Sequence, residues 1–276
     1  MSLDLRRFPT WLREVDVALP SFPHIVLTGD TADLHLLPNG PTETTAALRQ
    51  VLQAAGFGTI LAFDPVRGLT EVSGDASAMR NQLAADLGVR GADGDALQPP
   101  GGDVEAAAGQ LRSLLRVMMN PQPHCALLIS GASRLAPGND VRDPNLHAVM
   151  VMAEAQASAV PARLVTGTHQ APLYPVIVWL LDQPNDLPTW FMQRPQVRSI
   201  AIPRPTVEQM ERLARLILTP MLAEAAPAAK DEVIQRFADS AAGLSLRSIS
   251  QVTQVAIDQG IALPRIADAG RLYRAG

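Results

Sequence analysis

Apolar positions follow two rhythms along the chain. Near-continuous apolar runs, HIVLT at 24–28, GTILAF at 58–63, CALLI at 125–129, PVIVWLL at 175–181 and the shorter VRSIAI at 197–202, read as strands buried on both faces. LTEV at 69–72 is placed to pair beside GTILAF after the turn DPVRG. Between these runs the apolar residues recur every three or four positions, predicting helices over Thr42–Ala55, residues 75–88, Val104–Met119 and Leu146–Ala157. Pro41 and Thr42 signal the start of the first of these and Gly56 its stop. A shorter helix is expected over 8–18, where Trp11, Val15 and Ala18 share one face behind Pro9 and Thr10. Gly, Asp and Pro crowd VRGADGDALQPPGG at 89–102, which reads as a loop, as does GNDVRDPNL at 138–146. ARLVTGTHQAPLY at 162–174 fits neither rhythm.

Strands alternating with helices predict a parallel sheet covered on both faces. A further helix is expected in PRPTVEQMERLARLIL at 203–218, capped by Thr206 with Glu208 near its positive end. After it only helical periodicity remains, near 219–225, 230–241, 246–259 and 264–274, with breaks at Pro220, Pro227, Gly243, Gly260 and Pro264. The expected organisation is a helical extension over 1–19, an α/β core over 20–218 and an all-helical domain over 219–276.

Composition narrows the chemistry. In 276 residues, 47% hydrophobic and 18% charged, a sizeable core is affordable, and a net charge of −4 asks for neither nucleic acid nor an acidic membrane surface. Lys230 is the only lysine, so lysine-dependent covalent catalysis has no place to reside. Cys125, the only cysteine, lies inside an apolar strand, which excludes a disulfide or cysteine-metal framework within the chain. His24, His35, His124, His147 and His169 lack metal-ligand spacing, and the Met150 and Met152 pair reads as packing. Charges at Asp4, Arg6, Arg7, Arg13, Glu14 and Asp16 leave no apolar leader, and no run reaches membrane-spanning length, so the expected location is the cytoplasm.

The stretch HCALLISGASRL, His124 to Leu135, organises the rest. Its strand, small-residue tip and later Leu resemble the Walker B segment of AAA+ ATPases, where a carboxylate pair at the tip holds Mg²⁺ and orients the attacking water. Those two places here are Ser130 and Gly131. The phosphate loop G-x-x-x-x-G-K-[ST] also lacks its Lys. The nearest counterpart, LTGDTADLHLLPNG at 27–40, sets Gly29 after the first strand but offers Asp30 and Asp33, which repel phosphate; Gly29 and Asp30 read first as a plain turn and only second as a nucleotide site.

Layout and one long stretch, VIVWLLDQPNDLPTWFMQRPQVRSIAIPRPTVEQMERLARLIL, extend the resemblance to an AAA+ module: an α/β nucleotide-binding core followed by a helical lid. The resemblance places Asp182 at sensor 1, Arg194 and Arg198 near the arginine finger, and Arg247 of GLSLRSI near sensor 2. As residues alone, Asp182 is also a turn cap in DQPND, the two arginines are also surface charges, and Arg247 is also a helix-surface residue. The tail LPRIADAGRLYRAG at 263–276 resembles the connector that leads into a second, intact motor module.

The expectation is a parallel-sheet, P-loop-NTPase-like (AAA+-like) core with a helical lid, catalytically degenerate and acting through protein partners by self-association or with an adjacent AAA+ motor. No cofactor is expected. ATP and Mg²⁺ enter only under the alternative, a hydrolase with an unorthodox site around Gly29, Asp182 and Arg247. A small-molecule enzyme using Asp30, Asp33 or His35 as acid or base finds no convergent Ser, His and Asp arrangement in support.

Overall fold

A computed structural model describes residues 4–88, 99–119, 124–136, 143–222, 227–259 and 265. The described elements are, in order, α1 (Thr10–Ala18), β1 (His24–Gly29), β2 (Leu34–Leu37), β3 (Gly40–Glu43), α2 (Thr44–Ala55), β4 (Thr59–Asp64), β5 (Gly68–Ser73), α3 (Ser77–Asp86), α4 (Val104–Val117), β6 (Cys125–Ser130), α5 (Pro144–Ala159), β7 (Val176–Leu181), α6 (Thr189–Met192), β8 (Val197–Ile202), α7 (Val207–Leu222), α8 (Pro227–Ala241) and α9 (Leu246–Asp258). They divide into two compact units. The first holds residues 1–6, 10–31 and 45–202; the second holds 7–9, 32–44 and 203–276.

The first unit is a six-stranded sheet in the order β5-β4-β6-β7-β1-β8. Five strands are parallel and β5 returns antiparallel to β4 at the edge. Burial follows position: all six residues of β7 are buried, whereas edge strand β8 exposes Arg198, Ser199 and Ala201. One apolar core joins Phe63, Met79, Leu111, Leu115, Ile129, Met150, Trp179 and Phe191, with Met152 packed against it. Asp103 opens α4 by accepting from the Glu105 and Ala106 amides, and Asp143 does the same for α5 with Pro144 at its first position. The segment that fits no rhythm earns its place by close approach. Arg163 and Leu173 form an isolated antiparallel bridge, and a Cβ at Gly167 would lie 2.0 Å from the Ala55 carbonyl oxygen.

The second unit packs α7, α8 and α9 around Met210, Leu213, Phe237, Leu246 and Ile249, together with Leu36 from β2. Its hairpin is unexpected from the sequence. β2 and β3 pair antiparallel across the Pro38–Asn39 turn, with Gly40 at φ +115°. Thr42 pairs with His35 inside β3, so α2 starts at Thr44 rather than at Thr42.

Two further expectations shift. The break at Pro220 does not occur, because a proline in the last turn of α7 removes one ladder bond and leaves the preceding turns intact. The unbroken α7 also runs across position 218, and the C-terminal stretch of the second unit starts at Pro203. The helix expected over 264–274 and parts of the two expected loops, 89–98 and 138–142, lie outside the described residues.

Candidate functional site

Parallel pairing brings the carboxyl ends of β1, β6, β7 and β8 to one edge of the sheet, the usual ligand side of an open α/β fold. Register sets Ser130 opposite Leu180, Thr28 opposite Leu181, and Gly29 opposite Ile202. Gly29, Asp30, Ser130, Gly131 and Asp182 therefore share this edge. Arg247 belongs to the second unit.

Gly29 is required by the backbone. It sits at φ +118°, and a Cβ there would stand 2.7 Å from the Ile202 carbonyl oxygen, so β8 occupies the space a side chain needs. Its own carbonyl accepts from the Thr31 amide at 2.8 Å, which closes a tight turn carrying exposed Asp30. The chain then leaves for the hairpin and returns to the core only at α2. The β1-to-α2 connection is thus a paired hairpin, not an open glycine-rich loop.

At the tip of β6, the Ser130 hydroxyl donates to the Phe63 carbonyl at 3.4 Å. Gly131, at φ +66°, opens a 3-10 turn over Ala132–Leu135, with Pro65 Cδ 3.2 Å from where its Cβ would be. That turn presents Arg134 to Asp182, an exposed pair 3.6 Å apart. Asp182 does not cap its turn: Asp186 does, accepting from the Gln183 amide at 3.0 Å, because the carboxylate three residues on has the capping-box spacing. Arg194 is ion-paired with Glu154 of α5. Exposed Arg198 instead lines a groove of about 400 Å³ with Arg13, Glu14, Val17 and Phe22.

Within the second unit, Arg247 is engaged by the hairpin. Its Nε donates to the Ala32 carbonyl at 2.9 Å and its guanidinium meets Glu43 Oε1 at 3.1 Å, while its backbone amide donates to Asp33 Oδ1 at 2.8 Å. Buried Asp33 also accepts from the Leu246 amide at 3.0 Å, so its carboxylate caps α9 from across the chain, beside the local Ser245 cap.

Outside the strand tips, His24 and His35 are buried with side-chain partners. His24 Nδ1 accepts from Trp179 Nε1 at 3.0 Å and its Nε2 faces Gln156 Oε1 at 2.6 Å; burial pushes its pKa down to about 4. Burial also lowers His35 to about 4, against the opposing pull of Asp33, and its Nε2 lies 2.9 Å from Thr44 Oγ1. The Cys125 thiol is pushed up to about 12 by burial, which makes it an inert apolar neighbour of Met118. Among the described residues no three His, Cys, Asp or Glu side chains are placed to hold a metal, and no helix is long and apolar enough to cross a membrane.

The family model for the AAA+ chaperone N-terminal Rossmann-like domain matches residues 3–203. The chain belongs to this family. Its fold is accordingly an AAA+ module, a mostly parallel α/β core followed by a helical portion. The module is similar to the crystal structure of the FIGL-1 AAA domain in complex with ADP, at TM-score 0.49 and 14% identity over 97% of this chain and 79% of that one. A second crystal structure of the FIGL-1 AAA domain gives TM-score 0.49 and 14% identity, over 97% and 78%. The HORMA:CdnC:Trip13 complex of E. coli MS115-1 gives TM-score 0.49 and 15% identity, over 94% and 76%. No curated protein matches the sequence.

Proposed function

We propose that this AAA+ module is catalytically degenerate and works by assembling with protein partners, either further copies of itself or an adjacent AAA+ motor module. The observation that carries this reading is the β1-to-α2 connection, where the hairpin stands in place of a phosphate loop. Phosphoryl transfer depends on positioned cations and donors, and the edge offers Ser130 and Gly131 in place of Mg²⁺-binding carboxylates. The two polar residues left for an unorthodox hydrolase site have other work: Asp182 faces Arg134, and Arg247 is engaged by Ala32 and Glu43. ATP and Mg²⁺ belong only to that alternative, and a cytoplasmic setting without nucleic acid goes with the first reading.

Incubation of the purified chain with Mg·ATP is expected to release no phosphate above the blank. Turnover that vanishes in Asp182→Ala and in Asp30→Ala would overturn the proposal.

Assembly has its own test, and the two candidate interface arginines are expected to behave differently. Arg198 lies on an exposed edge strand beside a groove, whereas Arg194 is tied to Glu154. Arg198→Glu is expected to weaken self-association, or association with a motor module, by roughly tenfold or more, with folding stability changed by less than about 0.5 kcal/mol. Arg194→Glu is expected to disturb α5 as well. Light scattering and a melting curve on the same samples decide it; a wild-type chain that stays monomeric and ignores any motor module contradicts the assembly role.

A further inference from the structure

The helical unit contains a buried carboxylate held against a helix N-terminus. Both carboxylate oxygens of Asp33, 4% exposed, accept backbone amides at the start of α9: Oδ2 from Leu246 at 3.0 Å and Oδ1 from Arg247 at 2.8 Å. Oδ1 also takes the Leu34 amide at 2.7 Å, which fixes the carboxylate to the hairpin's first strand. The Arg247 side chain then spans the open end of the hairpin, from the Ala32 carbonyl before β2 to Glu43 at the end of β3. An anion at a helix N-terminus beside an arginine is the chemistry by which proteins hold phosphate, and here the chain supplies the anion itself.

We infer that Asp33 and Arg247 form a built-in latch: the Asp33 carboxylate stands in for a bound anion at the N-terminus of α9, so that the helical unit is ordered by its own hairpin and not by nucleotide. This rests on the reading of the module as non-hydrolysing and adds the means by which its lid stays ordered without a ligand. The hairpin lies in the chain between β1 and α2, and both ends of the latch, Asp33 and Arg247, belong to the second unit. His35 lies one strand position beyond Leu34 with its ring against Thr44, and Leu36 joins the helical core, so the latch and the hairpin's apolar face act on the same element.

Hydrogen exchange read at single amides tests the latch on the full chain. In the wild type the Leu246 and Arg247 amides are expected to be protected, and neither Mg·ATP nor millimolar inorganic pyrophosphate is expected to slow their exchange further. Asp33→Ala is expected to speed exchange at these two amides by a hundredfold or more, with Asp33→Asn intermediate because one acceptor oxygen remains. Arg247→Ala is expected to speed exchange in β2 and β3 while leaving the two α9 amides largely protected by Asp33. Wild-type protection at Leu246 and Arg247 in Asp33→Asn overturns the latch, as does added protection of the wild type by pyrophosphate; Asp33→Asn keeps the test open should Asp33→Ala not fold. ATP binding that leaves these amides unchanged would defeat the non-nucleotide reading and leave the latch standing.

Discussion

Lowering the pH from 7 to 4 is expected to cost the first unit about 3 kcal/mol through His24, the equivalent of a pKa held at about 4 against an ordinary 6.5. The fold favours the neutral ring. Stability is therefore fully present above pH 6.5 and is lost as pH falls from 6.5 through 4. The cause is on the ring itself: Nδ1 accepts from Trp179 Nε1, so a proton added there faces another N–H inside a site with no water-facing atoms. Trp11, Trp179 and Trp190 all lie in the first unit, so tryptophan fluorescence during urea unfolding follows that unit separately. His24→Leu is expected to flatten the dependence between pH 6.5 and 4 while lowering stability at pH 7 by about 2–4 kcal/mol, because Trp179 Nε1 and Gln156 are left unpaired. His35 shifts in the same direction, so the helical unit is expected to weaken in acid too. Equal first-unit stability at pH 7 and pH 4 would contradict this account of the His24 network.

Gly29→Val is expected to lower stability by about 3 kcal/mol or more, and to do so without reference to any nucleotide. The backbone at φ +118° is open to glycine and strained for a β-branched residue, and the new Cβ would lie 2.7 Å from the Ile202 carbonyl. A phosphate-cradling glycine would behave differently: its loss would weaken ATP binding ahead of folding. Denaturant midpoints for Gly29→Val and wild type, each with and without Mg·ATP, separate the two roles. A Gly29→Val chain as stable as wild type would contradict the packing role of this position.

The sheet was legible in the sequence because its strands are buried on both faces, and uninterrupted apolar runs such as VIVWLL leave little choice of structure. The hairpin was hidden for the opposite reason. LHLL and GPTE are four residues each, proline and threonine blur the alternation, and the Asn39–Gly40 pair that signals a tight reversal was the one available clue. At the strand tips the sequence order alone places Gly29, Asp30, Ser130, Gly131 and Asp182 at one edge once the strands are parallel, since the end of a parallel strand fixes where its next residue lies. It did not identify their partners. Arg134 beside Asp182 spans 48 positions, and Asp33 capping α9 spans 213 from Leu246; neither follows a local spacing rule. In the sequence Asp33 reads as a charge hostile to phosphate or as a candidate acid or base, whereas the folded chain uses that charge to satisfy helix amides.

Titration calorimetry of Mg·ATP into the purified chain tests the central claim most directly. With no phosphate-loop lysine, no carboxylate pair at the β6 tip, and Arg247 engaged by Glu43, the account predicts no saturable heat, corresponding to a Kd weaker than about 1 mM. The double substitution Ser130→Asp and Gly131→Glu is expected to leave that result unchanged, since it restores carboxylates and not the phosphate loop. A micromolar Kd for the wild-type chain at ordinary salt would contradict it.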